Sequence, residues 1–268
     1  MDSVVTYEEL KGFLRALVLS QPRILAMFIA LPIFNSQLVP GMLRYGLAGA
    51  FGIVAVPLVQ SQLVGVSLDT PMAWALVLLK EAFIGFVLGF MVAIPFWIFE
   101  GIGFLVDNQR GASISATLNP LTGNDSSPMG ILTNQAFIVF FLISGGFSLM
   151  LGMLYDSFAL WSVPSWSPTL NASSIPFFLS QLDRLVRMTL LLAAPAVVAM
   201  FLAELGLALV SRFVPQLQVF FIAMPVKSAL AVLILIFYAS TLFDYGLDLV
   251  ESVGGIARAL DAQWGSHE

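Results

Sequence analysis

Cysteine is absent from this chain of 268 residues. That excludes disulfides, Fe–S clusters and thiolate metal sites, and leaves the redox compartment unspecified by thiols. Histidine is nearly absent: the single one, His267, lies in the polar carboxyl-terminal tail, which argues against a histidine-assisted nucleophile within the apolar body. Charge is scarce as well, at 10% of residues with a net −5, and the basic residues occur singly rather than in a stripe, so nucleic acid is not an expected partner. There is no GxxxxGK[ST] phosphate loop, so the chain is not expected to hydrolyse nucleotides. GASIS at 111–115 is not a GxSxG elbow, and Tyr155-Asp156 lacks the second half of an intramembrane aspartyl dyad. No enzymatic role and no cofactor are expected. The amino-terminal MDSVVTYEEL is acidic and lacks the basic region and cleavage site of a signal peptide, which predicts that the first apolar segment is retained.

Apolar residues are what the chain has in excess. They make up 59% of it, and the mean hydropathy of +0.95 places it in the membrane class. Apolar runs of roughly 20 residues, the length that crosses a bilayer as a helix, occur near 24–43, 45–66, 82–99, 129–155, 188–203 and 228–243. The pattern predicts an all-α protein of about six apolar segments arranged as kinked hairpins. Positively charged residues fall at ends and middles of segments alike, so they set no orientation. A first hairpin is expected over 8–35 and 43–66, turning at Pro40-Gly41. GLAGAFG at 46–52, and Gly85 with Gly89, present small residues at helical spacing where another helix can approach closely. Gly145-Gly146 softens the run 131–155, VPSWSPTLNASSIP reads as a loop at 163–176, and Pro215 and Pro225 are expected to kink or break the last apolar portion. The chain divides near 157–180 into a longer first part and a shorter helical hairpin.

Charges within apolar segments are functional candidates by default, because an unpaired one is costly in lipid. They are Arg23, Lys80, Glu81, Glu100, Asp107, Arg110, Glu204, Arg212 and Lys227. Mutual neutralisation where helices or subunits meet is the structural alternative. Lys80 and Glu81 are neighbours in sequence and so do not share a helix face, which predicts different partners. Glu204 and Arg212 lie about 12 Å apart along a straight helix and need separate partners. A different class of function, a secondary transporter with Glu100, Asp107, Glu204 and Lys227 as relays between broken helices, uses the same residues.

The polar stretch Glu100–Gly130 is neither a membrane span nor a short turn. Glycines at 101, 103, 111, 123 and 130 permit positive φ and close backbone approach, and Pro120 and Pro128 fix local bends. With its flank it reads PFWIFEGIGFLVDNQRGASISATLNPLTGNDSSPMG at 95–130. This block resembles the signature region of the T component of bacterial type III secretion export apparatuses, the SctT family related to flagellar FliR. SRFVPQLQVFFIAMPVKS at 211–228 resembles the family's second block, with Gln218 where the usual residue is Asn. DNQRGAS and the Leu-Thr-Gly…Ser-Pro run look more like the injectisome branch than the flagellar one.

The resemblance implies a non-enzymatic export-gate subunit in the bacterial inner membrane. It would assemble helically with R- and S-type subunits, beside a U-type switch protein and the basal-body rings, in contact with lipid and with unfolded secreted proteins as cargo. Residues 1–156 would be an R-like part, 157–180 a connection and 181–268 an S-like hairpin with a polar tail. The assembled complex would sit largely above the membrane plane, without a conventional transmembrane bundle. A plug-like loop maps onto 105–124, with Asp107, Asn108, Gln109, Arg110, Gly111, Ala112, Ser113, Ile114, Leu118 and Gly123 as gate residues. A Gly-, Ser- and Asn-rich loop suits that role, since non-helical backbone is tolerated where it lines a water-filled lumen. Asp107 and Arg110 would anchor its base, Gly111 and Gly123 would be its hinges, and Ile114 and Leu118 its constriction. A static contact loop is the alternative. Lys80, Glu81, Glu100, Glu204, Arg212, Pro215, Gln216 and Lys227 are candidates for subunit contacts or buried charge pairs.

Overall fold

The computed structural model of the chain describes residues 2–35, 39–65, 70–111, 127–165, 174–214 and 219–264. Among these the regular structure is entirely helical. The helices are α1 (Asp2–Ala30), α2 (Gly41–Gln62), α3 (Pro71–Arg110), α4 (Pro128–Ile143), α5 (Gly146–Leu160), α6 (Ile175–Phe213), α7 (Val219–Val253) and α8 (Ile256–Trp264), with a short 3-10 turn at Pro32–Phe34. Helices α1, α2, α3, α6 and α7 are each long and apolar enough to cross a membrane, and α4 with α5 would supply a sixth span as a broken pair.

Several boundaries differ from those the apolar runs suggest. The run 24–43 is not one helix: α1 ends at Ala30, and Pro32 starts the 3-10 turn that precedes α2. The run 129–155 is divided at Gly145, whose φ of +83° only glycine adopts without strain. Helix α3 runs on past the expected end at Phe99 as far as Arg110. Pro22, Pro57, Pro95, Pro195 and Pro225 all lie inside helices. Pro225 therefore does not break the last apolar portion. It removes one backbone hydrogen bond, a loss that the rest of a 35-residue apolar helix outweighs. Pro215 and Gln216 lie outside the described residues, and α6 ends before them at Phe213.

The chain forms two compact units. The first comprises residues 1–94, 145–179 and 250–268. Within it α1 and α3 come close together, where the Gly85 and Gly89 motif acts as expected. A Cβ at Gly85 would collide with the Arg23 carbonyl, and one at Gly89 would come within 2.6 Å of the Met27 carbonyl oxygen. Among the glycines of the GLAGAFG stretch only Gly52 serves this purpose: it faces the Gln21 side chain, while Gly46 and Gly49 meet nothing within 4 Å among the described residues. Helix α8 occupies the stretch expected to be a polar tail. Its buried residues Ala257, Leu260 and Trp264 recur at helical spacing. Trp264 lies 5.2 Å from the Trp161 ring, and Asp261 accepts the Trp161 indole N–H at 2.9 Å.

The second unit comprises residues 95–144 and 180–249. Phe96, Phe99, Phe137 and Phe141 form its aromatic centre, with ring centroids 4.2 Å apart for Phe99–Phe137 and 5.0 Å apart for Phe96–Phe137 and Phe96–Phe141. Val106, Ala196, Met200 and Ala231 continue the core along α3, α6 and α7. Burial separates the long helices: the most apolar window of α3 is 72% buried, against 22% for α6 and 17% for α7. Helix α3 is thus an interior element, and α6 and α7 turn most of their apolar surface outward.

Candidate functional site

The polar stretch begins as helix. Ile102 and Val106 are fully buried at i, i+4 spacing, which places Glu100–Arg110 on the final turns of α3. The first six residues of the expected loop, Leu105–Arg110, are therefore helical. Asp107, Asn108, Gln109 and Arg110 occupy the last turn, with Asp107 buried and Asn108 exposed. Gly111 ends the helix with φ +83° and donates its amide to the Asn108 carbonyl at 3.1 Å. A left-handed glycine just past the last turn is a common helix stop. Ala112, Ser113, Ile114, Leu118 and Gly123 lie outside the described residues.

Asp107 connects the two ends of this segment. Its Oδ2 accepts the Ser127 hydroxyl at 2.6 Å and the Met129 amide at 2.9 Å. Its Oδ1 lies 2.6 Å from Arg110 Nη2, a close ionic approach but off the donor axis, since Oδ1 has no aligned hydrogen bond among the described residues. Ser127 in turn accepts the Gly130 amide at 3.0 Å as the N-cap of α4, ahead of Pro128. One buried carboxylate thus satisfies an orphan amide in the first turn of α4 and neutralises the last charge of α3. Asp107 and Arg110 form the expected base, while Ser127 is a partner the sequence reading missed. Its signal was available: Ser before Pro is a start pattern for a helix.

The same glycines that suggested a loop let helices approach. A Cβ on Gly103 would collide with the Met129 backbone, and one on Gly101 would lie 2.7 Å from Thr189 Cγ2. Thr133 Oγ1 lies 2.8 Å from both the Phe99 and the Met129 carbonyl oxygens and has one proton to share between them. Glu100 is exposed and accepts Asn134 Nδ2 at 3.3 Å.

Lys227 is buried and pairs with Glu204 at 3.1 Å, so the carboxylate that cannot reach Arg212 finds its cation on α7. Arg212 is exposed in the last turn of α6, where a cation complements the helix dipole. The pair is asymmetric, because the Glu204 side chain is 49% exposed and that of Lys227 only 10%. Glu204→Ala, which strands a buried ammonium, is expected to cost about 1.5–3 kcal/mol. Lys227→Ala leaves a carboxylate that solvent reaches and is expected to cost under about 1 kcal/mol. Thermal unfolding of the two variants in detergent measures the order.

In the first unit, Arg23, Lys80 and Glu81 form one buried cluster. Arg23, 0% exposed, gives Nε to Glu81 Oε2 at 2.7 Å, Nη1 to Ser157 Oγ at 3.1 Å and Nη2 to the Trp161 carbonyl at 2.9 Å. Its guanidinium lies 4.2 Å from the centroid of the Phe158 ring. Lys80 lies 2.9 Å from Glu81 Oε1, so the two neighbours share an ionic contact in addition to separate hydrogen-bonding partners, Arg23 being that of Glu81. The long lysine stem bends back to reach the carboxylate. Lys80 also finds partners of its own, the carbonyls of Ser162, Val163 and Ser165 at 3.1, 2.7 and 2.8 Å.

Residues 14–253 match the family described as bacterial export proteins, family 1. The chain is similar to the Yop proteins translocation protein T of Yersinia pestis, 40% identical over 227 residues that cover 84% of this chain and 85% of the relative. It is similar to the secretion system apparatus protein SsaT of Salmonella typhimurium, 31% identical over 247 residues, 91% of this chain and 94% of the relative. The flagellar biosynthetic protein FliR of Bacillus subtilis is 29% identical over 222 residues, 82% of this chain and 85% of that protein.

Proposed function

The chain belongs to the bacterial export proteins, family 1, and from that membership we propose that it is a structural and gating subunit of a type III secretion export apparatus. It is the T component of the injectisome branch and a multi-pass protein of the bacterial inner membrane. It forms the channel entrance with R- and S-type subunits and passes unfolded proteins across the membrane, with energy supplied elsewhere and no chemistry of its own. The U-type switch protein and the basal-body rings are its further neighbours. Residues 1–156 serve as the R-like part and 181–268 as the S-like hairpin. The outward apolar faces of α6 and α7 support contact with subunits and lipid, since 22% and 17% burial leaves most of their apolar windows uncovered.

The observation that carries the gating role is the buried Asp107 carboxylate, which joins the end of α3 to the first turn of α4 and so fixes both ends of the segment between them. Loss of that carboxylate would free the last turn of α3 from the first turn of α4, the place where the proposed gate would yield. Asp107→Ala is expected to raise ion leakage through the assembled apparatus and to lower secretion at least about tenfold, the effect of roughly 1.4 kcal/mol. Co-purification with R- and S-type subunits should persist. Unchanged leakage together with normal secretion would refute the gating role, and loss of co-purification would assign Asp107 to assembly. The transporter reading is weaker, because Glu204 and Lys227 are spent on each other and Asp107 is spent on the α4 start.

A further inference from the structure

The turn that follows α5, Trp161–Ser165, is held from several sides by side chains distant in sequence. Arg23 donates to the Trp161 carbonyl, Asp261 accepts the Trp161 ring N–H, and Gln62 Oε1 accepts the Val163 amide at 3.1 Å. Gln62 Nε2 also donates to the Phe158 carbonyl at 2.8 Å. Lys80 alone reaches three carbonyls of the turn, and with Glu81 Oε1 its ammonium has four oxygens between 2.7 and 3.1 Å. Its three protons match the three carbonyls in number, leaving Glu81 as an ionic contact.

Charge balance explains why an ammonium fits there. Arg23 and Lys80 bring two positive charges against the single carboxylate of Glu81, in surroundings where Arg23 and Glu81 are 0% exposed. The remaining positive charge faces the carboxyl-terminal end of α5, where free carbonyls and the helix dipole supply roughly half a negative charge. The carbonyls of Ser162 and Val163 belong to residues just past that end. Without the cation those oxygens would face one another and Glu81 at close range, and the turn would be pushed open.

We propose that Lys80 is a positioning residue that holds the Trp161–Ser165 turn closed through its charge, acting as the resident cation of a cup of carbonyl oxygens. The residue therefore sets where the chain leaves the α5 end before α6. This role does not depend on the export-gate reading, because it concerns the first unit by itself.

The absence of cysteine from the chain makes the test direct. Val163 is 0% exposed, so Val163→Cys places a single thiol where labelling requires the turn to open. In the detergent-purified full-length chain, Val163→Cys with Lys80→Met, which keeps the stem of the side chain without its ammonium group, should react with a maleimide at least tenfold faster than Val163→Cys alone. Val163→Cys with Lys80→Ala should be equally fast and should slow again when propylammonium is added, whereas propanol at the same concentration should have no effect. Equal labelling with and without the lysine charge would overturn the proposal, as would equal rescue by the alcohol. Reductive methylation of the unaltered chain gives a measurement that needs no variant to fold. Lys11 is exposed and should be modified, while Lys80, with its protons committed to carbonyls and a side chain 12% exposed, should resist at least tenfold. Modification of Lys80 at the rate of Lys11 would also overturn it.

Discussion

Arg23→Met is expected to destabilise the protein by about 3–5 kcal/mol, the cost of breaking a buried ion pair by removing one partner. The arginine is fully buried and uses Nε, Nη1 and Nη2 on three different acceptors, Glu81, Ser157 and the Trp161 carbonyl. Methionine fills a similar volume and makes none of these bonds, so Glu81 Oε2 and the Trp161 carbonyl are left without their donor. Ser157 still donates to the Leu154 carbonyl at 2.6 Å and loses least. Arg23→Lys is expected to restore little of the loss, because Arg23 bonds from three separate nitrogens spread across a plane, Nε, Nη1 and Nη2, and the one nitrogen of an ammonium does not reproduce that spread. Thermal or denaturant unfolding in detergent measures the effect, and poor accumulation in cells is its expected correlate. The double variant Arg23→Met with Glu81→Met removes the stranded carboxylate as well. It should be more stable than the two single losses summed, by at least about 1 kcal/mol of coupling. An Arg23→Met protein within about 0.5 kcal/mol of the parent, the range of an inert surface substitution, would show that the cluster does not hold the first unit together.

That cluster shows where sequence reading succeeds and where it stops. Arg23, Lys80 and Glu81 stand out in the sequence because charges in apolar helices demand partners. Their partners do not stand out: Ser157, the Trp161 carbonyl and the carbonyls of 162, 163 and 165 are polar groups of ordinary residues, brought near by tertiary folding across 82 to 138 positions. Lys80 and Glu81 also pair with each other although neighbours on a helix point apart, because the rule concerns Cβ directions and a lysine stem is long enough to turn back. The all-α class and most long segments followed from hydropathy, and the close approach at Gly85 and Gly89 followed from their spacing. The end of α3 was less legible. Glycines at 101 and 103 look like loop residues, yet they sit within a helix where another backbone comes close. Gly111 alone among the described glycines of that stretch takes the left-handed conformation. Composition cannot separate a glycine needed for φ from a glycine needed for space, since each is defined by what is absent. Helix α8 is hard to see in the sequence for a different reason: nine residues with a narrow apolar stripe fall below the length at which hydropathy reads as a span.

Gly103→Val is expected to abolish secretion, because the space it needs is taken by backbone. A Cβ there would collide with the Met129 carbonyl and the Gly130 amide, neither of which can swing aside as a side chain does. Either the first turn of α4 moves away from α3 or α3 gives way locally, and overpacking of this kind costs about 1–3 kcal/mol or more. The first response is the one with a functional consequence. Met129 donates its amide to Asp107 Oδ2 at 2.9 Å, and a shift of roughly 1 Å takes that bond beyond hydrogen-bonding distance. Ser127, bonded to the same oxygen at 2.6 Å, would be drawn away with it. The valine should therefore reproduce the leakage expected of Asp107→Ala while the carboxylate itself is intact, which separates the position of α4 from the charge that holds it. Gly103→Ala should show the same change to a smaller degree, since one methyl meets the same atoms. Gly152, on α5, where a Cβ would have nothing within 4 Å among the described residues, provides the control. Gly152→Ala should be neutral or stabilising by up to about 1 kcal/mol from helix propensity. Secretion and ion leakage measured across these four variants test the link. If Gly103→Val secretes normally, the tight contact between α3 and the start of α4 does not set the state of the gate.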